Sequence, residues 1–204
     1  MAGLRIVVGS QNQGKVREIK ELLEGLEIEV QSLAECPEVE LVEETGSSFA
    51  ENAELKATGF ARQLGVWVLA DDSGLEVDAL DGRPGVFSAR YGGEGLTDAQ
   101  RAVRLLEELR DVPDEDRTAR FRCVAALADP NRLLCVTEGS VEGRIAHAPA
   151  GSSGFGYDPV FIPKGYDQTF AELGLEIKQR LSHRARALEE LRDYLTEILP
   201  AERL

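Results

Sequence analysis

The hydrophobic pattern of this chain changes period several times, and each change marks an element. Leu4 to Val8 is a short apolar run that stops at Gly9, which predicts a buried strand. Val16, Ile19, Leu22 and Leu23 then recur at helical spacing. Gly25 stops that helix, and Ile28 to Val30 begin a second strand. Ser47 and Ser48 precede a helix predicted from Phe49 to Leu64, with Gly65 as its stop signal. Trp67 to Ala70 reads as a compact strand ending abruptly in Asp71-Asp72-Ser73-Gly74.

A glycine-rich stretch follows, from Gly82 to Gly95. Thr97 and Gln100 form a capping-box pattern ahead of Ala102, Val103, Leu105, Leu106 and Leu109. Asp111 to Asp116 is a polar turn and loop tip. Ala119, Phe121, Cys123, Ala125 and Leu127 alternate with other residues, which predicts a strand with one buried face. Asp129-Pro130-Asn131 turns the chain into a hairpin partner from Leu133 to Thr137. Val160 to Ile162 is a further short strand. Leu181, Ala185, Leu188, Leu191, Leu195 and Ile198 lie on one face of a final helix. The mixture predicts an α/β class with an antiparallel pair in the second half. No repeat, low-complexity tract or long linker interrupts it, so residues 1–204 read as a single domain, or two tightly joined lobes.

Composition narrows the function. Hydrophobic residues at 43% and charged residues at 29% suit a soluble globular protein and argue against disorder. Lys and Arg total 23 against 37 Asp and Glu, a net charge of −14. A general nucleic-acid binder draws its affinity from Lys and Arg on phosphates, so that class is not expected. A small anionic ligand remains open, given local positive charge or a metal to receive it. No apolar run approaches the ~20 residues of a membrane span. The opening Met1-Ala2-Gly3-Leu4-Arg5 has no signal-peptide pattern. Cys36, Cys123 and Cys135 are odd in number and form no C-x-x-C, which reads as reduced thiols in a cytoplasmic protein, Cys123 and Cys135 in core packing.

Five segments carry candidate chemistry. Ser10-Gln11-Asn12-Gln13-Gly14-Lys15 lies between a strand and a helix, where free N–H groups, Ser10, Asn12 and the Lys15 charge suit a phosphate. The plainer reading makes Asn12 an N-cap and Lys15 a solvated first-turn residue. Glu43-Glu44-Thr45-Gly46 leads into a helix on which Asn52 and Lys56 share a face, and Glu44 is a candidate hard-cation ligand or simply surface charge. Asp71 and Asp72 close an apolar strand, where α/β ligand crevices form. Adjacent carboxylates at a core boundary suggest a cation or proton transfer, although Asp-Asp-Ser-Gly is also turn chemistry. Gly151-Ser152-Ser153-Gly154-Phe155-Gly156-Tyr157-Asp158-Pro159 flanks an aromatic with glycines, so a ring can lie against a planar base, or the segment is a plain turn. Lys178 and Ser182-His183-Arg184 place basic donors in an acidic chain, or are ordinary helix residues. No G-x-S-x-G elbow is present, and only His147 and His183 are available as bases for a serine nucleophile.

Taken in order, these segments resemble the inosine/xanthosine triphosphate pyrophosphatases, the house-cleaning enzymes for noncanonical purine nucleotides. The resemblance rests on Ser10-x-Asn12-x-x-Lys15, Glu44-x-Gly46-x-x-Phe49-x-Glu51-Asn52-Ala53 and Ala70-Asp71-Asp72-Ser73-Gly74-Leu75. It continues through Pro84-Gly85-x-x-Ser88-Ala89-Arg90-Tyr91, Gly154-Phe155-Gly156-Tyr157-Asp158-Pro159 and Ser182-His183-Arg184. Ser10 and Ser48 stand where Thr is common in the family.

The resemblance implies a mixed sheet in two lobes with a central cleft, flanked by helices. It also implies a homodimer, Mg²⁺ dependence and hydrolysis of ITP, dITP and XTP to monophosphate and pyrophosphate. Carried over by position, Ser10, Gln11, Asn12, Gln13, Gly14 and Lys15 hold the triphosphate. Glu44 and Asp72 bind metal, with Asp72 also the proton acceptor. Lys56, Ser73, Phe155, Gly156, Tyr157, Asp158, Lys178, His183 and Arg184 contact the nucleotide. Hypoxanthine and xanthine present a 6-keto acceptor, which suits donors such as Lys178, His183 and Arg184. Two other readings remain open: a house-cleaning pyrophosphatase for another base, of the dTTP or UTP type, and a nucleotide-binding regulatory module without catalysis. The second leaves Glu44, Asp71 and Asp72 without a task.

Overall fold

The computed structural model describes residues 4–36 and 39–199. Met1 to Gly3, on which part of the signal-peptide expectation rested, lie outside the described residues.

The first third of the chain builds parallel strands through helical crossovers. β1 (Leu4–Val8) is followed by α1 (Gln13–Leu22), β2 (Ile28–Ser32), α2 (Phe49–Leu64) and β3 (Trp67–Val77). β1 pairs in parallel with both β2 and β3. Parallel neighbours need a crossover, and α1 and α2 supply it. Both helices start where their caps predict. The Asn12 side chain accepts from the Lys15 N–H, and the Ser48 side chain accepts from the Glu51 N–H. Gly65 ends α2 at φ 67°.

The rest adds α3 (Asp98–Glu108), β4 (Thr118–Ala128), β5 (Leu133–Ile145), β6 (Phe161–Pro163), α4 (Phe170–Leu181) and α5 (His183–Ile198). The capping box of Thr97 and Gln100 forms at the start of α3. The six strands take the order β2-β1-β3-β4-β5-β6. β5 and β6 are antiparallel. The link from β4 to β5 spans only Asp129 to Arg132, and a link that short joins antiparallel neighbours.

Three expectations change. β3 does not stop at Ala70 but runs on to Val77, with Asp71 and Asp72 inside it. β4 alternates only over its first residues and is buried on both faces from Cys123 onward. The final helical stripe belongs to two helices, because the chain turns extended at Ser182, so Leu181 ends α4 and does not begin α5. α4, capped by Thr169 and Glu172, lacked a periodic apolar signal because Gly174 at φ 84° breaks it.

The chain divides into two compact units, each with its own core. The first draws its described residues from 4–72, 123–139 and 184–199. Ile6, Val8, Ile19, Leu69, Leu127, Leu188 and Leu191 fill it. The second takes Ser73–Arg122 and Ser140–His183. Its core gathers Leu75, Leu105, Phe121, Phe161 and Phe170, the three rings in mutual contact. Among the described residues no helix is long and apolar enough to cross a membrane. Cys36, Cys123 and Cys135 are free thiols. Cys123 is fully buried, and burial together with the nearby Asp71 carboxylate pushes its thiol up to about 12, which suits a packing role.

Candidate functional site

Two adjacent residues of a strand point to opposite faces, and that geometry separates Asp71 from Asp72. Each carboxylate is buried, at 1% and 6% exposure, and each meets its own cations. This is why β3 can continue past them. Two buried carboxylates facing each other would repel, whereas these two are neutralised separately.

On one face, the Asp72 Oδ1 accepts from the Lys56 ammonium at 3.1 Å. Its Oδ2 accepts from the Asn52 side-chain amide at 3.2 Å. Lys56 also donates to Glu44 at 2.8 Å. The Asn52 carbonyl oxygen accepts from the Gly46 N–H at 2.8 Å, which ties the loop carrying Glu44 to α2. Glu44, Asn52, Lys56 and Asp72 thus form one cluster, of which the spacing had suggested only the shared face of Asn52 and Lys56. Burial pushes the Asp72 carboxyl above its ordinary value, and the Glu44 charge adds to this against the pull of Lys56 and Lys15. Lys56 is raised as well, for a different reason: burial disfavours its charge, but Asp72, Asp71 and Glu44 outweigh burial and hold it protonated.

On the other face, Asp71 meets the Lys15 ammonium at 3.1 Å. It also accepts from the Arg184 guanidinium, from Nη2 at 3.0 Å and from Nε at 3.3 Å. Burial alone would raise this carboxyl; Lys15, Arg184 and Lys56 overcome it and hold Asp71 well below the carboxylate range. Lys15 is therefore not a solvated first-turn residue. Arg184 also donates from Nη1 to Glu18 on α1. Glu18 escaped the sequence reading. The available signal was a carboxylate four residues before Leu22, inside the apolar stripe of α1.

The Ser10–Lys15 loop makes a regular helix entrance. The Ser10 hydroxyl accepts from the Asn12 N–H at 3.2 Å, and the Asn12 side chain accepts from the Lys15 N–H at 3.1 Å. Gln11, Asn12 and Gln13 are exposed. The first turn of α1 carries no acidic residue, so its dipole and first-turn N–H groups favour an anion. Asn12 as cap and the loop as phosphate cradle are compatible readings.

The second unit holds the other candidates. Asp158 is 1% exposed and accepts from the Phe155 N–H at 2.8 Å and from the Lys178 ammonium at 2.6 Å. The same ammonium lies 4.2 Å from the centre of the Phe155 ring. A Cβ on Gly154 would fall 2.0 Å from the Asp158 carboxylate, so glycine is required there. Tyr157 is buried at 4% exposure and its phenol donates to the Ser88 carbonyl at 3.0 Å. His183 is 4% exposed and stacks on Phe121 at 4.8 Å. Ser73 is half-buried on β3. The structure thus places the side chains of Tyr157, Asp158 and His183 in the interior of this unit. Phe155 and Gly156 remain half-buried.

Mg²⁺ takes hard oxygen donors, commonly one or two carboxylates completed by substrate phosphates and water. Among the described residues no three His, Cys, Asp or Glu side chains form a ready-made cage. Glu44 and Asp72 share one ammonium, so the chain already places positive charge between two carboxylates. That donor set fits a metal that arrives with a phosphorylated substrate.

Comparison with known proteins bears on the whole arrangement. A family model described as the Ham1 family matches residues 6–194. The dITP/XTP pyrophosphatase of Geobacillus kaustophilus is 52% identical over 194 residues, covering 95% of each chain. A solved structure of a HAM1 protein from Coxiella burnetii superposes with a TM-score of 0.85 at 47% identity, covering 95% of this chain and 99% of that one. A nucleoside-triphosphatase / dITP/XTP pyrophosphatase from Mycobacterium abscessus superposes at 0.75 with 46% identity, over 92% of this chain and 98% of that one.

Proposed function

The chain belongs to the Ham1 family, and from that premise we propose that it hydrolyses noncanonical purine nucleoside triphosphates, dITP, XTP and ITP, to the monophosphate and pyrophosphate. The observation that carries this reading is the cluster on α2 and β3. A buried carboxylate, Asp72, is held by Lys56 and Asn52 and shares Lys56 with Glu44. A module that only bound nucleotide would have no use for it.

Glu44 and Asp72 are the residues that would hold Mg²⁺. When bound, the metal neutralises phosphate charge in the transition state. Asp72 accepts the proton of the attacking water. Asn52 and Lys56 fix the two Asp72 oxygens in place. Ser10, Gln11, Asn12, Gln13 and Gly14 present donors at the start of α1, and Lys15 adds a charge whose position Asp71 fixes. In the second unit, Phe155 and Gly156 offer the base a ring and a backbone position without a side chain, in a loop held by Asp158 and Lys178. Ser73, Tyr157 and His183 complete the nucleotide contacts of the proposal.

Phosphorus NMR of the products tests the reaction directly. With dITP and Mg²⁺ we expect pyrophosphate and monophosphate as the first products. Orthophosphate with diphosphate would overturn the assignment. A substrate panel including dTTP and UTP separates the purine reading from its pyrimidine rival.

The proposal includes a cytoplasmic homodimer acting as one domain. Phe87 is 55% exposed, next to half-buried Val86 and near half-buried Tyr91, and these supply an apolar surface for a second copy. Light scattering at micromolar concentration should give twice the 22.3 kDa of one chain, and a mass near that single value counts against the dimer.

A further inference from the structure

Besides the backbone bond from the Ala150 N–H to the Pro159 carbonyl, three contacts that involve side chains hold the loop Gly154–Pro159 within the second unit. Two use residues of the loop's own motif: Asp158 accepts from Phe155 and Lys178, and Tyr157 donates to the Ser88 carbonyl. The third does not. The Gly156 N–H donates to the carboxylate of Asp98, the first residue of α3, at 2.9 Å. Asp98 lies 58 residues away in the sequence and belongs to none of the segments that carried chemistry.

Gly156 is the position in this loop where something can approach. Its φ is 63°, and a Cβ built there meets nothing within 4 Å. Gly154, two residues earlier, is packed against Asp158. The backbone at 156 therefore adopts a left-handed conformation beneath open space, and its amide would turn freely without an acceptor. Asp98 supplies that acceptor as an ionised group, which makes the bond stronger than one between neutral partners. The carboxylate is itself anchored. Its Oδ1 pairs with Arg101 one turn along α3 at 3.0 Å, while Oδ2 takes the Gly156 N–H. Arg101 is 16% exposed and so steadies the pair from the side.

We propose that Asp98 is a positioning residue for nucleotide binding: through the Gly156 amide it holds the Phe155–Tyr157 backbone in the shape that receives the base. The role rests on the function proposed above, and it acts before any chemistry. It therefore belongs in KM and in the order of the free loop, and leaves the hydrolytic step untouched.

Two variants separate the hydrogen bond from the charge. Asp98→Ala removes both. Asp98→Asn removes the charge, and with it the Arg101 ion pair, but keeps an oxygen that accepts from Gly156. Hydrogen exchange of the 154–158 segment is measured without nucleotide, alongside kcat and KM for dITP. We expect Asp98→Ala to lose the protection of the Gly156 amide and to raise KM about tenfold with kcat within about twofold, in keeping with loss of one charge-assisted bond. Asp98→Asn, which keeps a neutral and therefore weaker acceptor, should fall between the parent and Asp98→Ala in both protection and KM. Wild-type exchange and KM in Asp98→Ala would overturn the proposal. So would an Asn variant that behaves like Ala, since the effect would then come from charge at the start of α3. A chain that fails to hydrolyse dITP at all would refute the proposed function, whereas the exchange comparison still decides whether Asp98 holds the loop.

Discussion

Replacing Asp72 with Asn should remove nearly all turnover and leave the protein folded. Asp72 is 6% exposed, with one oxygen on Lys56 and the other on Asn52. Asn keeps the shape of the side chain but accepts no proton and brings no full charge to a cation. Loss of general-base catalysis alone costs about 10²–10⁴ in rate, and loss of a metal-holding charge adds to it. The structural cost is smaller. Asn52 is oriented by its own bond from Gly46, so it presents its amide donors to position 72. The new Asn therefore turns its oxygen to Asn52 and its NH₂ to the Lys56 ammonium, setting donor against donor. Lys56 keeps Glu44, however, and burial already disfavours the Asp72 charge. One poor contact of this kind costs about 1–3 kcal/mol. Steady-state kinetics on dITP and a thermal melt of the same sample check the two halves. Activity within a few-fold of the parent would reduce Asp72 to a structural residue of β3.

Much of this site could be read from the chain because its parts are local. The Asn12 and Ser48 caps, the Thr97 box and the i, i+4 pair of Asn52 and Lys56 depend on residues within one helical turn, and all four appear as expected. The α/β class followed from equally local changes of hydrophobic period. What the chain concealed is long-range neutralisation. Asp71 and Asp72 looked like a turn or a paired-carboxylate site because sequence does not reveal that Lys15, Lys56 and Arg184 arrive from three different helices. With those cations in place the strand continues to Val77, against its own polarity. Glu18 was missed for the same reason, its partner lying 166 residues away. The helix α4 was obscured by a different cause, the left-handed Gly174 that interrupts its period. Arg184 was expected at the nucleotide as a donor to a keto group, and the structure adds a commitment the chain did not reveal: its Nε, Nη1 and Nη2 each donate to one of two buried carboxylates.

That commitment sets the second large effect, which is on stability. Arg184→Ala strands Asp71 and Glu18, at 1% and 4% exposure, without the guanidinium that joins them. Removing one partner of a buried ion pair typically costs about 3–5 kcal/mol, because the other charge stays behind desolvated. Lys15 remains 3.1 Å from Asp71 and softens the loss there, which places the expected cost toward the lower end of that range. For a chain of this size each kcal/mol moves the melting temperature by about 2–4 °C, so the variant should melt roughly 10 °C below the parent. Adding Glu18→Gln to Arg184→Ala should recover part of that loss, since one of the two stranded charges is then neutral, and the pair of substitutions will be non-additive. Thermal melts of the parent, both single variants and the double variant give the coupling directly. A melting temperature of Arg184→Ala within about 2 °C of the parent would show that the Glu18–Arg184–Asp71 chain carries no net stability. The same series decides how far Arg184 bears on base choice. Measured well below the melting range of every variant, the ratio of kcat/KM for ITP over ATP should fall in Arg184→Ala if the guanidinium also reaches the 6-keto group of the base. It should stay constant if Arg184 acts only through Asp71 and the Lys15 ammonium, because that route weakens every triphosphate alike.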